Sequence, residues 1–296
     1  MHTITDLKKV VNPLEVIGNE EVSFTRVIPF DIDNTDDGVL MWITAAKNSL
    51  ISNVKAGIIL CEATLELTEN KNITIVVVRN ARAAFRQVLE AFYKKQQAVG
   101  IHVTAIIHRN VVLGNDCCVG AYAVIEDGCI VGKNISIGHH TVVSSNTIID
   151  DGTTIGTHCS IGSDGFGYEK DEAGHYVQIP HIGYVHVHEQ VDIGNHVCID
   201  RGTLGATVIG AWSRIDNMVH IAHNVQIGTD TLVIAKAMIA GSCQIGNDVW
   251  IAPCAAILNK VNVGDRARVG MGSMVFKHVN EGETVMGNPA RVTKTV

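Results

Sequence analysis

A histidine at a chain corner, a glycine 18 residues further on and two nearby carboxylates form a set that can move a proton and receive an oxyanion. His223, in Ile221-Ala222-His223-Asn224, leads the set. An imidazole titrates near neutral pH and so can take the proton of an attacking nucleophile. Gly241 leaves room beside the ring and offers a backbone N–H to a developing oxyanion. Asp216 is placed to hold the imidazole tautomer, with Asp200 near it, and Asn217 and Asn224 add polar groups at the same corners. The chemistry such a set can carry is general-base proton transfer with stabilisation of an oxyanion. The structural alternative is a corner histidine packed against a neighbour, with asparagines that merely turn the chain.

These residues are positioned by a repeat of six. Stepping by six from Ile101 to Ile161 meets an aliphatic residue eleven times in succession, and stepping from Ile209 to Val275 meets one twelve times. Val187, Ile193 and Ile199 keep the same period between them. Three hexapeptides close one 18-residue coil, and coils stack at about 4.8 Å, the spacing of hydrogen-bonded strands. No single coil can bury its own face, so stability comes from stacking. Corners are expected at Val131-Gly132, Ile137-Gly138 and Ile227-Gly228, where glycine or asparagine tolerates positive φ. A period of six matches neither an α-helix nor simple hairpins. The chain is therefore mainly β, a parallel β-helix over residues 99–278.

Two segments interrupt it. Residues 162–184 form a loop too long for a corner, and residues 200–208 shift the register, because Ile199 to Ile209 spans ten residues instead of twelve. Irregular insertions in a regular scaffold are where function concentrates. Residues 1–98 read as a small α/β domain, with strands expected at 24–30, 57–61 and 73–78 and a helix over 81–98. Residues 279–296 read as a turn and short tail.

Composition removes several classes. The net charge of −7 provides no field for nucleic acid. The start of the chain lacks a signal peptide, and no apolar run is long enough to span a membrane, so a cytoplasmic location is expected. The eight cysteines show no CxxC pair and are expected to be reduced and mostly buried.

With these residues laid out, the chain resembles the UDP-3-O-acylglucosamine N-acyltransferases of lipid A biosynthesis. The resemblance rests on Asp164-Gly165-Phe166-Gly167-Tyr168, on Ile199-Asp200-Arg201-Gly202, and on Ile215-Asp216-Asn217 with Ile221-Ala222-His223-Asn224. It implies a left-handed β-helix, a homotrimer with active sites between neighbouring prisms, and an N-terminal domain that binds the uridine of a nucleotide sugar. It also supports the oxyanion role of Gly241. Three departures stand out. A second family histidine, in a Gly-His pair, is replaced by Asn259-Lys260; a Phe and a Tyr near the base are replaced by Trp42 and Asn48; and a helical C-terminal extension is absent. The ending Gly287-Asn288-Pro289-Ala290-Arg291 instead resembles that of coenzyme A-dependent sugar acetyltransferases.

Substrate contacts are expected from Trp42 on a nucleotide base, from Asp164, Phe166 and Tyr168 in the long loop, and from Asp200, Asn217 and Asn224 at the corners. Phe166 and Tyr168 could equally clamp a neighbouring subunit, and Trp42 could be a core residue. Lys236, Lys260 and Arg266 are candidates for the phosphates of coenzyme A, with solvated surface cations as the alternative. The His181/His186 and His186/His188 spacings raise a metal-dependent hydratase of the γ-class carbonic anhydrase type, which uses the same prism; no partner ligand is evident, and no metal is expected. His139, His140 and His220 are expected to be exposed or packed between subunits. The departures favour an N-acyltransferase that takes its acyl group from acyl-CoA and acts on a nucleotide-linked amino sugar, with His223 as general base and no permanently bound cofactor. The alternative is the lipid A enzyme using acyl carrier protein. A non-catalytic scaffold is the remaining class.

Overall fold

The computed structural model describes residues 1–32, 36–44, 50–51, 53–62, 72–94 and 99–295; Asn48 lies outside the described residues. The chain forms two compact units, Met1–Gln96 and Gln97–Val296.

The second unit is a left-handed parallel β-helix built from three sheets, most of whose strands are two residues long. Val131 pairs with Ile149, Val119 with Ile137 and Ile125 with Val143, each 18 residues on. The aliphatic series from Val119 onward points inward and is buried, giving one continuous core. Ile101, at the open end of the stack, is exposed. Two residues before each inward aliphatic lies a second buried position, often small: Cys117, Ala123, Cys129, Thr141, Thr147, Cys159. Their thiols and hydroxyls serve the corners. Cys129 donates to Ser144 O at 3.2 Å, Cys159 to Gly194 O at 3.1 Å, and Thr141 to Gly156 O at 2.7 Å. Burial pushes the Cys129, Cys159 and Cys243 thiols up, which keeps them protonated donors. None of the eight cysteines is joined in a disulfide, and Cys198 and Cys254 are exposed.

The corners differ from expectation in an instructive way. Positive φ falls three residues after most of the inward aliphatics, as at Asn134 (55°), His140 (57°) and Asn146 (63°), and is carried mostly by residues other than glycine. The glycines directly after the aliphatics answer a different need. A Cβ at Gly138 would lie 2.5 Å from the Gly156 carbonyl carbon, and one at Gly228 would lie 2.7 Å from that of Gly246. Close stacking of successive coils, not backbone freedom, requires glycine there.

Both interruptions are insertions. Ile155 pairs with Ile193 across the long excursion, which carries an antiparallel hairpin of Tyr168–Lys170 and Tyr176–Gln178. Ile199 pairs with Ile221, 22 residues on, so residues 200–208 lengthen their coil instead of shortening it. Residues beyond 278 are more than a tail: Glu283–Met286 pairs in parallel with the Arg268–Val269 strand, and Arg291–Thr295 pairs antiparallel with Glu283–Met286.

In the first unit, a five-stranded sheet runs in the order Glu15–Ile17, Ile73–Val77, Gly57–Cys61, Val39–Trp42, Arg26–Val27. The strand at Val39–Trp42 adds to those expected. Helices α1 (Ile4–Val11) and α2 (Ala81–Phe92) share one core with Leu40, Ile58, Leu60 and Val76. Thr3 and Asp6 close a capping box on α1, and Asn80 caps α2 by accepting from Ala83 N at 2.9 Å. The observed α2 ends at Phe92, and residues 95–98 lie outside the described residues.

Candidate active site

The short strand His220–Ile221 buries Ile221, and the chain then turns so that His223 lies under Gly241, its stacking partner one coil on. A Cβ at Gly241 would sit 2.7 Å from His223 Cε1 and 2.8 Å from Nε2. From the other side the long loop brings Gly165, where a Cβ would sit 2.9 Å from His223 Cδ2. Two glycines thus admit the imidazole between a coil and the loop. Beside it opens a cleft of about 330 Å³ lined by Phe166, Asp200, His220, Met238, Ser242 and Lys260. The Gly241 N–H donates to no other group among the described residues, so it is available to an oxyanion.

Hydrogen bonds fix the ring. Asn224 Oδ1 accepts from Thr203 N at 2.8 Å, which orients the amide so that Nδ2 meets His223 Nδ1 at 3.0 Å. A donor at Nδ1 leaves the proton of the neutral ring on Nε2, the nitrogen beneath Gly241. The resting tautomer is therefore not the one a base working at Nε2 needs. Burial, then the neighbouring His181, push the His223 pKa below its ordinary value, while Asp200 pulls it back up.

The carboxylate of the site is Asp200. It is 7% exposed, its Oδ2 lies 3.7 Å from His220 Nε2, and its Oδ1 lies 3.4 Å from Ser163 Oγ. Burial raises its pKa, against the pull of His220, Ser163, His223 and His181. His181 completes the cluster. Its ring meets that of His223 edge-on with centroids 5.2 Å apart, and its Nδ1 donates to Ile179 O at 2.9 Å. Its Nε2 is buried with no hydrogen-bond partner among the described residues. Such a group in a native site calls for a functional or solvent explanation.

Several sequence candidates lie elsewhere within this chain. Asp216 does not reach His223: its Oδ1 accepts from Asn217 N at 2.7 Å and its Oδ2 from Ala235 N at 3.1 Å. With Asn217 and Asp192 it lines a separate cleft of about 350 Å³. The reason is the prism itself, since the Arg214–Ile215 strand and the His220–Ile221 strand belong to different sheets. Lys236 and Arg266 occupy other edges from Lys260, and Arg266 is paired with Glu281. Lys260 alone of the three lines the His223 cleft. Asp164 lies 3.5 Å from Arg201, which ties the loop base by donating to Gly162 O at 2.6 Å. Phe166 is 84% exposed beside Tyr168. In the first unit, Trp42 stacks on Phe85 at 5.6 Å and lines an open groove with Arg82 and Arg86. His181 and His220 are the neighbours of His223 and its cleft that sequence reasoning did not place there. The His181/His186 spacing drew attention only to metal, and the contact with His223 depends on the path of the loop.

No family model matches the chain. A protein of Legionella pneumophila (strain Paris) named UDP-3-O-acylglucosamine N-acyltransferase 1 is 38% identical over 254 residues, covering 79% of this chain and 70% of the relative. A UDP-3-O-acylglucosamine N-acyltransferase of Porphyromonas gingivalis (strain ATCC 33277) is 40% identical over 230 residues, covering 71% of this chain and 66% of the relative. Among solved structures, the UDP-N-acetylglucosamine acyltransferase of Campylobacter jejuni superposes with a TM-score of 0.60 at 23% identity, covering 66% of this chain and 75% of that one. An LpxA from Acinetobacter baumannii gives 0.60 at 24%, covering 66% and 74%. This structural likeness shows the left-handed β-helix. Fold and relatives together make the chain a hexapeptide-repeat acyltransferase. The chain belongs to the UDP-3-O-acylglucosamine N-acyltransferase family.

Proposed function

We propose that this acyltransferase moves an acyl group from a thioester to the 2-amino group of a UDP-linked 3-O-acylglucosamine, the N-acylation step of lipid A synthesis, in the cytoplasm. The observation that carries the reading is the His223 cleft, with the imidazole held beneath Gly241 and beside buried Asp200. The names of relatives at 38% and 40% identity favour this reading over the coenzyme A-dependent sugar enzyme that the sequence departures suggested. Among the described residues, no helix is long and apolar enough to cross a membrane.

The amine attacks the thioester carbonyl, the carbonyl oxygen gains charge, and the thiolate leaves with a proton. Proton transfer falls to His223 Nε2, and the oxyanion to the Gly241 N–H. Acting as a base at Nε2 requires the proton to move to Nδ1, which an Asn224 amide turned by half a rotation would accept, at the expense of its bond from Thr203 N. Donating a hydrogen bond from Nε2–H to the oxyanion needs no rearrangement, and in that case the proton shed by the amine passes to the departing thiolate. Lys260 places a cation on the same cleft for a phosphate of the donor, whether carried by coenzyme A or by acyl carrier protein. Trp42, with Arg82 and Arg86 in its groove, is proposed as the seat of the nucleotide in the N-terminal domain of residues 1–98.

The separate cleft of Asp192, Asp216 and Asn217 supports a homotrimer. In such an assembly the edge bearing Asp216 of one prism would face the His223 edge of the next, which gives Asp216 a place in the site without contact inside one chain. The test is a mass-spectrometric product screen. It crosses acetyl-CoA, 3-hydroxyacyl-CoA and 3-hydroxyacyl carrier protein with UDP- and dTDP-linked amino sugars, including the UDP-linked 3-O-acylglucosamine. An amide formed from the last acceptor supports the proposal, and turnover confined to coenzyme A donors and other sugars would replace it with the first reading of the sequence.

A further inference from the structure

Away from the cleft, three metal-ligating side chains converge on the prism surface. Val185 and Val187 point inward and are buried, so the alternation of a strand turns His186 and His188 outward together. Parallel pairing sets Ile148 beside His186 and Ile149 beside Val187, which carries Asp150 next to His188. Asp150 Oδ2 lies 2.9 Å from His186 Nε2 and 3.1 Å from His188 Nδ1, and the two ring centroids are 4.1 Å apart. All three donor atoms lie within 4.8 Å of one another.

We propose that Asp150, His186 and His188 form a binding site for one transition-metal ion of the zinc class. Bonds of about 2.0–2.1 Å in a tetrahedral ion space its ligands by roughly 3.3 Å, close to the two separations already present. Two imidazoles and one carboxylate suit Zn²⁺, Co²⁺, Ni²⁺ or Cu²⁺ and lack the oxygen-rich shell that Ca²⁺ or Mg²⁺ requires. The side chains of His186, Asp150 and His188 are 25%, 34% and 37% exposed, so water can complete the shell and exchange is open to solvent. The sequence hid the third ligand, because the 162–184 excursion separates Asp150 from the histidines and removes it from any short metal motif.

The location gives the ion a structural role. The excursion leaves the prism after the coil of Asp150 and returns just before His186. An ion there would staple the two coils across the root of the loop that carries Gly165, Phe166 and His181. This is independent of the acyl-transfer reading, and its test needs no substrate.

The experiment is calorimetric titration of the chelator-treated full chain with Zn²⁺, repeated on Asp150→Ala, His186→Ala and His188→Ala, with thermal melts in parallel. The expected result is one ion per chain, affinity weakened by roughly tenfold or more in each variant, and a zinc-dependent rise in Tm lost with the binding. The exposed column of stacked rings at His140, His158 and His196 is the internal control, since parallel rings do not converge on one ion. No zinc uptake by the wild-type chain overturns the proposal. So does uptake that survives loss of both His186 and His188 and disappears with His140→Ala and His158→Ala. Circular dichroism of each variant separates lost binding from lost folding.

Discussion

Replacing Gly241 with alanine tests the site at the point where geometry is tightest. A Cβ there would meet His223 Cε1 at 2.7 Å and Nε2 at 2.8 Å, whereas ordinary contacts lie at 3.4–4 Å. The ring must therefore move by roughly 1 Å, and it is hemmed on its other edge by Gly165. A misplacement of about 1 Å costs on the order of 100-fold in rate, or about 2.7 kcal/mol of transition-state stabilisation. Gly241 has no positive φ, so alanine brings no backbone strain, and the inward core is untouched. The assay is steady-state N-acylation of the UDP-linked 3-O-acylglucosamine with 3-hydroxyacyl carrier protein, alongside thermal melting. The loss should appear in kcat/KM with Tm essentially unchanged. A Gly241→Ala enzyme within about twofold of wild type would refute the placement of the reacting nitrogen under Gly241.

Other substitutions separate the remaining roles. His223→Ala should lower kcat by roughly 10²–10⁴-fold with the fold intact by circular dichroism. Asn224→Asp replaces the donor at Nδ1 with a carboxylate acceptor, which draws the proton to Nδ1 and frees Nε2. Rate retained at high pH would mark His223 as a base, and rate lost there would mark it as an Nε2–H donor. Because the folded pKa of His223 lies below its ordinary value of 6.5, the acid limb of kcat/KM should fall below that pH. The stability linked to neutral His223 is present above the unfolded-state value and lost as pH falls through the folded one. His181→Gln removes a lowering influence and should move the acid limb up, while Asp200→Asn removes the raising one and should move it down. Matching shifts in one direction would count against this charge cluster. In the core, Ile221→Ala should cost about 2–5 kcal/mol in denaturant unfolding.

The prism was legible in the amino-acid sequence because its period is local: each inward aliphatic recurs six residues on, and the coil partner lies at a fixed 18. The same fixed step places Gly241 over His223. The step failed wherever insertions changed the count. The four residues added between Ile199 and Ile221 looked like a shortened coil, and Asp200 was set beside Asp216 although it belongs with His220 and His223. Which face a corner residue occupies depends on the closure of three sheets, so Asp216 sounded like a partner of His223 while lying on another side of the prism. The glycines after each aliphatic were visible, but their reason was not, because a clash with the next coil exists only once coils are stacked. His181 against His223, and Asp150 against His186 and His188, are contacts made across the long excursion. Local period determined the scaffold; the paths of two insertions, which carry no period, decided which side chains share a site.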